Sequence, residues 1–255
     1  MMRSTTRGKT LLVRAGAVAF WLLLWQLMSM LIGQDILLVS PLRTLAVLGQ
    51  LAGSGEFWQS VLHSFVKIAF GFLLAIAGGS LFALLSYKNR VVRELLYPLV
   101  TVIKATPVAS FVILALIWIK SQNLSVFTSF LMAFPIAYTN LLSGLQETDP
   151  KLLEMAQVFG VSFGKRLLYI HLPAVSPYFV SACSLSVGLC WKAGIAAEVI
   201  GLPARSVGSA LYQAKIYLQT GEMFAWTLVI ILVSLLFERA VLYVIRLLQN
   251  RIERM

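Results

Sequence analysis

Long apolar runs constrain this 255-residue chain more than any other feature. They cover about residues 11–32, 61–87, 95–119, 124–145, 174–197 and 223–248. A helix crossing the hydrocarbon core needs roughly 20 consecutive apolar residues, and in lipid its backbone must satisfy its own hydrogen bonds. Six such runs predict an all-α integral membrane protein with six transmembrane helices. Composition agrees, with 59% hydrophobic and 12% charged residues, where a soluble domain carries about 25% charged. These figures exclude a soluble enzyme, a disordered chain and a disulfide-rich secreted domain. The basic start before the first run resembles a signal peptide, but the run is too long and lacks a clean small-residue cleavage site. A retained first span is expected.

The charges orient the spans. Lys and Arg number 21 against 10 Asp and Glu, a net charge of +11. With both termini in the cytoplasm, thirteen basic residues fall on inside segments and four on outside ones. Cytoplasmic loops collect Lys and Arg, so the cytoplasmic assignment is preferred. The excess forms no basic stripe interleaved with aromatics, which argues against nucleic acid. Four basic residues remain within the spans: Lys67, Lys104, Lys192 and Arg239.

No catalytic or metal constellation competes with a transport role. Cys183 and Cys190 are two helical turns apart on one face, too far for a disulfide within one helix. His63 and His171 are remote in sequence, and no cluster with metal-ligand spacing accompanies them. The chain has no G-x-x-x-x-G-K-[ST] loop for ATP, no H-E-x-x-H and no G-x-S-x-G. It is expected to be no enzyme, and to bind no cofactor itself.

One inside connection, 147–173, is neither Gly/Ser-rich nor highly charged, so it does not read as a flexible linker. Asp149-Pro150 has the form of a helix start, with Asp as N-cap and Pro at the first helical position. Leu152, Leu153, Ala156, Phe159 and Gly160 follow at helical spacing, and Pro173 is expected to end the segment. A short structured helix under the membrane is predicted, either docking a partner or lying in the interface.

Within this segment stand Glu154-Met155-Ala156, three residues, Gly160, nine residues, Ile170, one residue, then Leu172-Pro173. The pattern resembles the EAA loop of ATP-binding-cassette importer permeases, E-A-A-x3-G-x9-I-x-L-P, with Met155 as the single departure. Ser64-Phe65-Val66-Lys67 with Gly71-Phe72 is similar to the S-L-x-R-x-x-x-G-F segment of the nitrate/sulfonate/taurine-type branch, Lys67 standing for its usual Arg. Tyr97-Pro98-Leu99, Thr106-Pro107, Phe134-Pro135, Asn140, Gly144-Leu145 and Glu198 also resemble that branch. The similarity covers about 41–248.

The resemblance implies a type I ABC importer, MetI-like permease fold, with a permease core over 59–248 containing the coupling loop 147–173. A tail, first span and outer loop over 1–58 precede it, and a tail over 249–255 follows. Implied partners are ABC ATPase subunits carrying ATP and Mg, a second permease copy or similar chain, and an extracytoplasmic substrate-binding protein. Implied coupling residues are Glu154, Ala156, Phe159, Gly160, Ile170, Leu172 and Pro173. The binding protein would meet the face formed by 41–56 and 201–222. The substrates implied are nitrate, sulfonates, taurine or bicarbonate, with vitamin precursors (pyrimidine- or riboflavin-like) as an alternative. A secondary transporter would show internal repeats, which are not seen here, and a scaffold subunit is a further rival.

Charges inside a membrane are expensive and mark candidate pathways. Lys67, Lys104, Lys192 and Glu198 are the candidates, with Glu198 the expected acidic partner of Lys192 or Lys67. Gly71, Ala75 and Gly79 recur every four residues, a spacing that lets helices pack closely. Pro107 and Pro135 are expected to bend the third and fourth spans. Between the last two spans, 209–218 reads as a surface or re-entrant helix.

Overall fold

The computed structural model describes residues 4–252, and within them the side chains of 13–162 and 164–247. Every regular element is helical: α1 Ser4–Ile32, α2 Pro41–Ala52, α3 Gly55–Lys88, α4 Arg90–Ala105, α5 Val108–Ala115, α6 Ser121–Gln146, α7 Pro150–Val158, α8 Phe163–Arg166, a π-helical turn Leu167–His171, α9 Leu172–Gly201, α10 Val207–Ile216 and α11 Thr220–Ile252. Val13–Ile32, Gly55–Lys88, Ser121–Gln146, Gly164–Gly201 and Thr220–Leu247 are each long and apolar enough to cross a membrane.

The third expected span, 95–119, is not one helix. α4 and α5 together pass the same test of length and apolarity but are bent by 105°. The cause is local. Pro107 has no N–H to donate and pushes the preceding residue out of helical geometry. Thr106 is accordingly extended, at φ −87° and ψ 131°, and its N–H and hydroxyl both cap the carbonyl of Val102. Pro135 behaves differently: it lies buried within the unbroken α6. The expected helix over 209–218 forms two residues earlier, as α10.

The chain divides into two compact units. The first takes the residues up to Trp58 together with Ala210–Val229. There the Trp25 indole donates to the carbonyl of Val39 at 3.0 Å, and Ser29 Oγ to that of Leu38 at 2.9 Å. Ser40 caps α2, accepting from the Arg43 N–H, and Arg43 pairs with Asp35. Trp25 packs on Phe224, and Phe57 on Trp226.

The second unit holds Gln59–Ser209 and the chain from Ile230 onward. Its core lies between α6 and α9, with α3 pressed against α6. A methyl group added at Gly71 would strike the Val126 carbonyl and Ser129, and one at Gly79 would lie 2.6 Å from Cβ of Ala137. The Gly71-Ala75-Gly79 stripe therefore serves close packing of α3 on α6 within one chain, as small residues do between membrane helices. Polar bonds cross the same interfaces. Ser129 Oγ donates to the Cys190 carbonyl at 3.0 Å, and Tyr138 Oη to Ser86 Oγ at 3.0 Å. α11 is tied in by the Trp191 indole, which donates to the Ile230 carbonyl at 3.1 Å, and by Phe237 packed edge-on against Phe65 and Phe72.

Candidate functional site

The segment carrying the motif folds as its capping residues dictate. Asp149 Oδ1 accepts the Lys151 N–H at 2.9 Å, with Pro150 at the first helical position, so the predicted start of α7 is the observed one. Its end is a Schellman motif. The Gly160 N–H bonds the Gln157 carbonyl, and the Val161 N–H reaches back to Ala156 at 2.9 Å. Gly160 closes the turn at φ +63°, the left-handed region that glycine enters without a Cβ penalty. No atom lies near enough to obstruct a side chain there. The backbone turn, not close approach, is what requires this glycine.

α7 has two unlike faces. Ala156 is buried, at 2% exposure, while Val158 and Phe159 are 83% and 77% exposed and Leu152 and Met155 are exposed beside them. Glu154 is exposed as well. Four apolar side chains on one short helix thus stay outside the core of their own chain. An exposed apolar cluster of this kind marks a surface that meets something else.

The chain then returns to the membrane without the expected stop. Pro173 does not end the segment: helix runs from Phe163 through the π-turn into α9. The Leu172 N–H reaches the Leu167 carbonyl, five residues back. Proline lacks an N–H and its ring crowds the turn before it, and the wider π-turn stands just ahead of Pro173. Leu172 and Pro173 lie exposed in the first turn of α9, and Ile170 is half-buried in the π-turn.

One residue here carries a role that the motif does not signal. His171 sits at a variable position of the pattern, yet it is buried. Its Nδ1 lies 3.1 Å from Thr148 Oγ1, and its ring packs edge-on against Tyr87 at 5.3 Å. His171 so joins the start of α9 to the residue before the α7 cap and to the end of α3. Tyr87, Glu154, Gln157, Arg166 and His171 surround one cavity of about 330 Å³. Nothing in the spacing of Thr148 and His171 announces this contact.

The four candidate pathway charges occupy separate places. Lys67 Nζ donates to Asn123 Oδ1 at 2.9 Å beside a largely apolar cavity of about 760 Å³ between α3 and α6. Lys104 Nζ donates to Thr139 Oγ1 at 3.3 Å. Lys192 is exposed. Glu198 does not pair with Lys67 or Lys192, as the sequence led one to expect. It is fully buried at 0% exposure and serves the N-terminus of α10. Its Oε2 accepts the Gly208 N–H at 3.1 Å and the Ser64 hydroxyl at 2.7 Å. Ser64 Oγ in turn accepts the Val207 N–H, and Ser206 Oγ takes that of Ser209. The first three N–H groups of α10 are thereby satisfied, and the carboxylate meets the positive end of the helix dipole. The cap thus engages Oε2 without a lysine, while Oε1 is buried with no hydrogen-bond partner among the described residues. Among the described residues no group of His, Cys, Asp and Glu has the arrangement of a metal site, and Cys183 and Cys190 are free and buried.

Comparison with known proteins agrees with this architecture. A permease named for aliphatic sulfonate transport, SsuC of Bacillus subtilis, is 26% identical over 96% of this chain and 86% of its own length. The taurine transport system permease TauC of Escherichia coli is 24% identical over 89% and 83%. The bicarbonate transport system permease CmpB of Synechococcus elongatus is 27% identical over 75% and 69%. The similarity falls in the nitrate, sulfonate and taurine branch of ABC importer permeases, whose members are named as transport components rather than enzymes. Residues 67–254 match the binding-protein-dependent transport system inner membrane component. With that match and its apolar helices, the chain is a multi-pass inner-membrane protein and belongs to that permease family.

Proposed function

We propose that this permease forms the substrate pathway of an ATP-binding-cassette importer and takes its drive from a partner ATPase docked on α7. The observation that carries this reading is the exposed apolar surface of α7, held between an Asp149 cap and a Gly160 turn in the segment with the EAA spacing. Phe159 is the anchor for an apolar groove on the ATPase, since buried aromatics dominate such contacts. Glu154 offers a carboxylate to a basic residue of the partner. Ala156 packs α7 against its own chain, and Gly160 sets the angle of the return. Beyond the Gly160 turn, Ile170, Leu172 and Pro173 carry movement of α7 into α9 along the helix that runs without a break from Phe163.

Both termini and the α7 segment lie in the cytoplasm on this reading, as the distribution of Lys and Arg favours. ATP and Mg belong to the ATPase, two copies of which serve a pair of permease chains. An extracytoplasmic binding protein delivers the substrate. That substrate is a small anion of the nitrate, sulfonate, taurine or bicarbonate kind, with Lys67, Lys104 and Lys192 along the pathway and Glu198 holding α10 beside it.

The test is co-purification from detergent-solubilised membranes. A cassette ATPase should accompany the wild-type chain and be lost from Phe159→Asp, with uptake stopping when ATP is depleted. Uptake that persists without ATP, or a chain that brings down no ATPase, would establish a gradient-driven carrier or a scaffold instead.

A further inference from the structure

α4 presents three distinct faces. Val100 and Ile103 are buried against the chain. Val91, Leu95, Leu99 and Val102 form an exposed apolar face. Arg93, Tyr97, Thr101 and Lys104 follow one another at spacings of four, four and three, which places them on a third face. That polar face lies along α6, where it lines a cavity of about 240 Å³ with Thr139 and Ser143.

The chemistry of this groove is one-sided. It holds two cations and several hydroxyls, and no carboxylate lines it among the described residues. The nearest acid in sequence, Glu94, pairs with Arg90 at 3.8 Å. Lys104 gives one of its three donors to Thr139, whose hydroxyl passes its own proton to the Pro135 carbonyl at 2.8 Å. The threonine is therefore fixed as an acceptor toward the lysine and holds the ammonium in the groove. Lys104, a cation inside the expected span with no counter-charge lining its groove, is costly against lipid and favourable beside a water-filled anion path. Arg93, among the basic residues of the inside segment, stands at the end of the same face that the proposed orientation makes cytoplasmic. Arg93 and Lys104 are eleven residues apart, about 16 Å along the helix. They are too far apart to clamp one small ion and well placed as successive stations. Rings of Arg and Lys serve anion pores in this way, binding firmly enough to admit an ion and weakly enough to release it.

We infer that the α4–α6 groove is a two-station binding site for small oxyanions, with Lys104 at one station and Arg93 at the other. The hydroxyls of Tyr97, Thr101, Thr139 and Ser143 replace water around the ion between them. This rests on the reading of the substrate as a small anion, and it assigns that substrate a place that neither the motif nor the family match specifies.

The test uses the full chain in lipid nanodiscs, with Thr101→Cys or Ser143→Cys as reporters; the native cysteines are buried. The probes are an ethanesulfonate-bearing methanethiosulfonate and its trimethylammonium counterpart. Each rate is normalised to that of a free thiol. The anionic reagent should be favoured about tenfold, as expected of a cleft lined by one sign of charge. Lys104→Met or Arg93→Gln should remove most of that preference. Nitrate or methanesulfonate should slow the reaction at ionic strength matched with a bulky buffer anion. Absence of charge preference at both reporters overturns the inference. So does a preference that vanishes in phosphatidylglycerol discs while soluble anions give no protection in phosphatidylcholine, because the groove is then a lipid-headgroup seat. The outcome is separable from the coupling test. Anion selectivity without a co-purifying ATPase would leave the groove and sink the importer reading, and the converse would sink only the groove.

Discussion

Ser64 and Glu198 meet inside the second unit, where the serine hydroxyl donates to the carboxylate at 2.7 Å across 134 residues of chain. The pair joins α3 to α9, and the same two side chains accept the first two N–H groups of α10. One buried carboxylate therefore fixes three helices, including the short one that lies between the last two spans.

Replacing Glu198 with Ala leaves the Gly208 N–H and the Ser64 hydroxyl buried without an acceptor. Each such group costs about 1–3 kcal/mol. Thermal unfolding in detergent is expected at a clearly lower temperature for Glu198→Ala, with Glu198→Gln milder because its amide oxygen still accepts. Ser64→Ala and Glu198→Ala should be strongly non-additive when combined, since they break one network. Additive losses would mean that the two side chains act independently.

Glycines in the helices are predicted to separate into two classes. Gly71→Ala forces a methyl group onto the backbone of Val126 and onto Ser129, and such overpacking costs about 1–3 kcal/mol. Gly188→Ala meets open space in α9 and should be neutral or stabilising by up to about 1 kcal/mol, because Ala is the better helix former. Melting temperatures of the two purified variants decide this, and a similar shift for both would refute the packing assignment.

Gly160→Val should uncouple transport without preventing insertion. A β-branched residue at φ +63° adds roughly 1–2 kcal/mol of strain to the turn that ends α7. Space is not at issue, so Gly160→Asn, which tolerates this conformation, should keep most of the activity. The measurements are uptake in whole cells and the amount of folded protein in the membrane. Normal uptake by the valine variant would remove the turn from the mechanism.

Thr148→Val and His171→Leu should each lower uptake while leaving ATPase association intact. Both sever the bond that ties the entry of α7 to the start of α9, and neither alters the exposed face of α7. If ATPase capture falls in parallel with uptake, the contact shapes the docking surface instead of transmitting its movement.

Much of this protein was legible before any coordinate. Runs of about 20 apolar residues determine spanning helices because lipid leaves the backbone no other partner. Asp149-Pro150 and Gly160 determine where α7 starts and stops, because capping depends on side-chain acceptors and allowed φ within a few residues. The EAA spacing, also local, pointed to the family that the match over 67–254 confirms. Tertiary structure decided what local rules leave open. The effect of a proline depends on its surroundings: Pro107 breaks a span by 105°, while Pro135 is carried inside α6. The partner of Glu198 turned out to be a helix end rather than a lysine, and His171, at a variable motif position, became a junction. Those outcomes depend on which side chains meet across tens of residues, and hydrophobic periodicity, which reports only which face of a helix is apolar, carries no information about that.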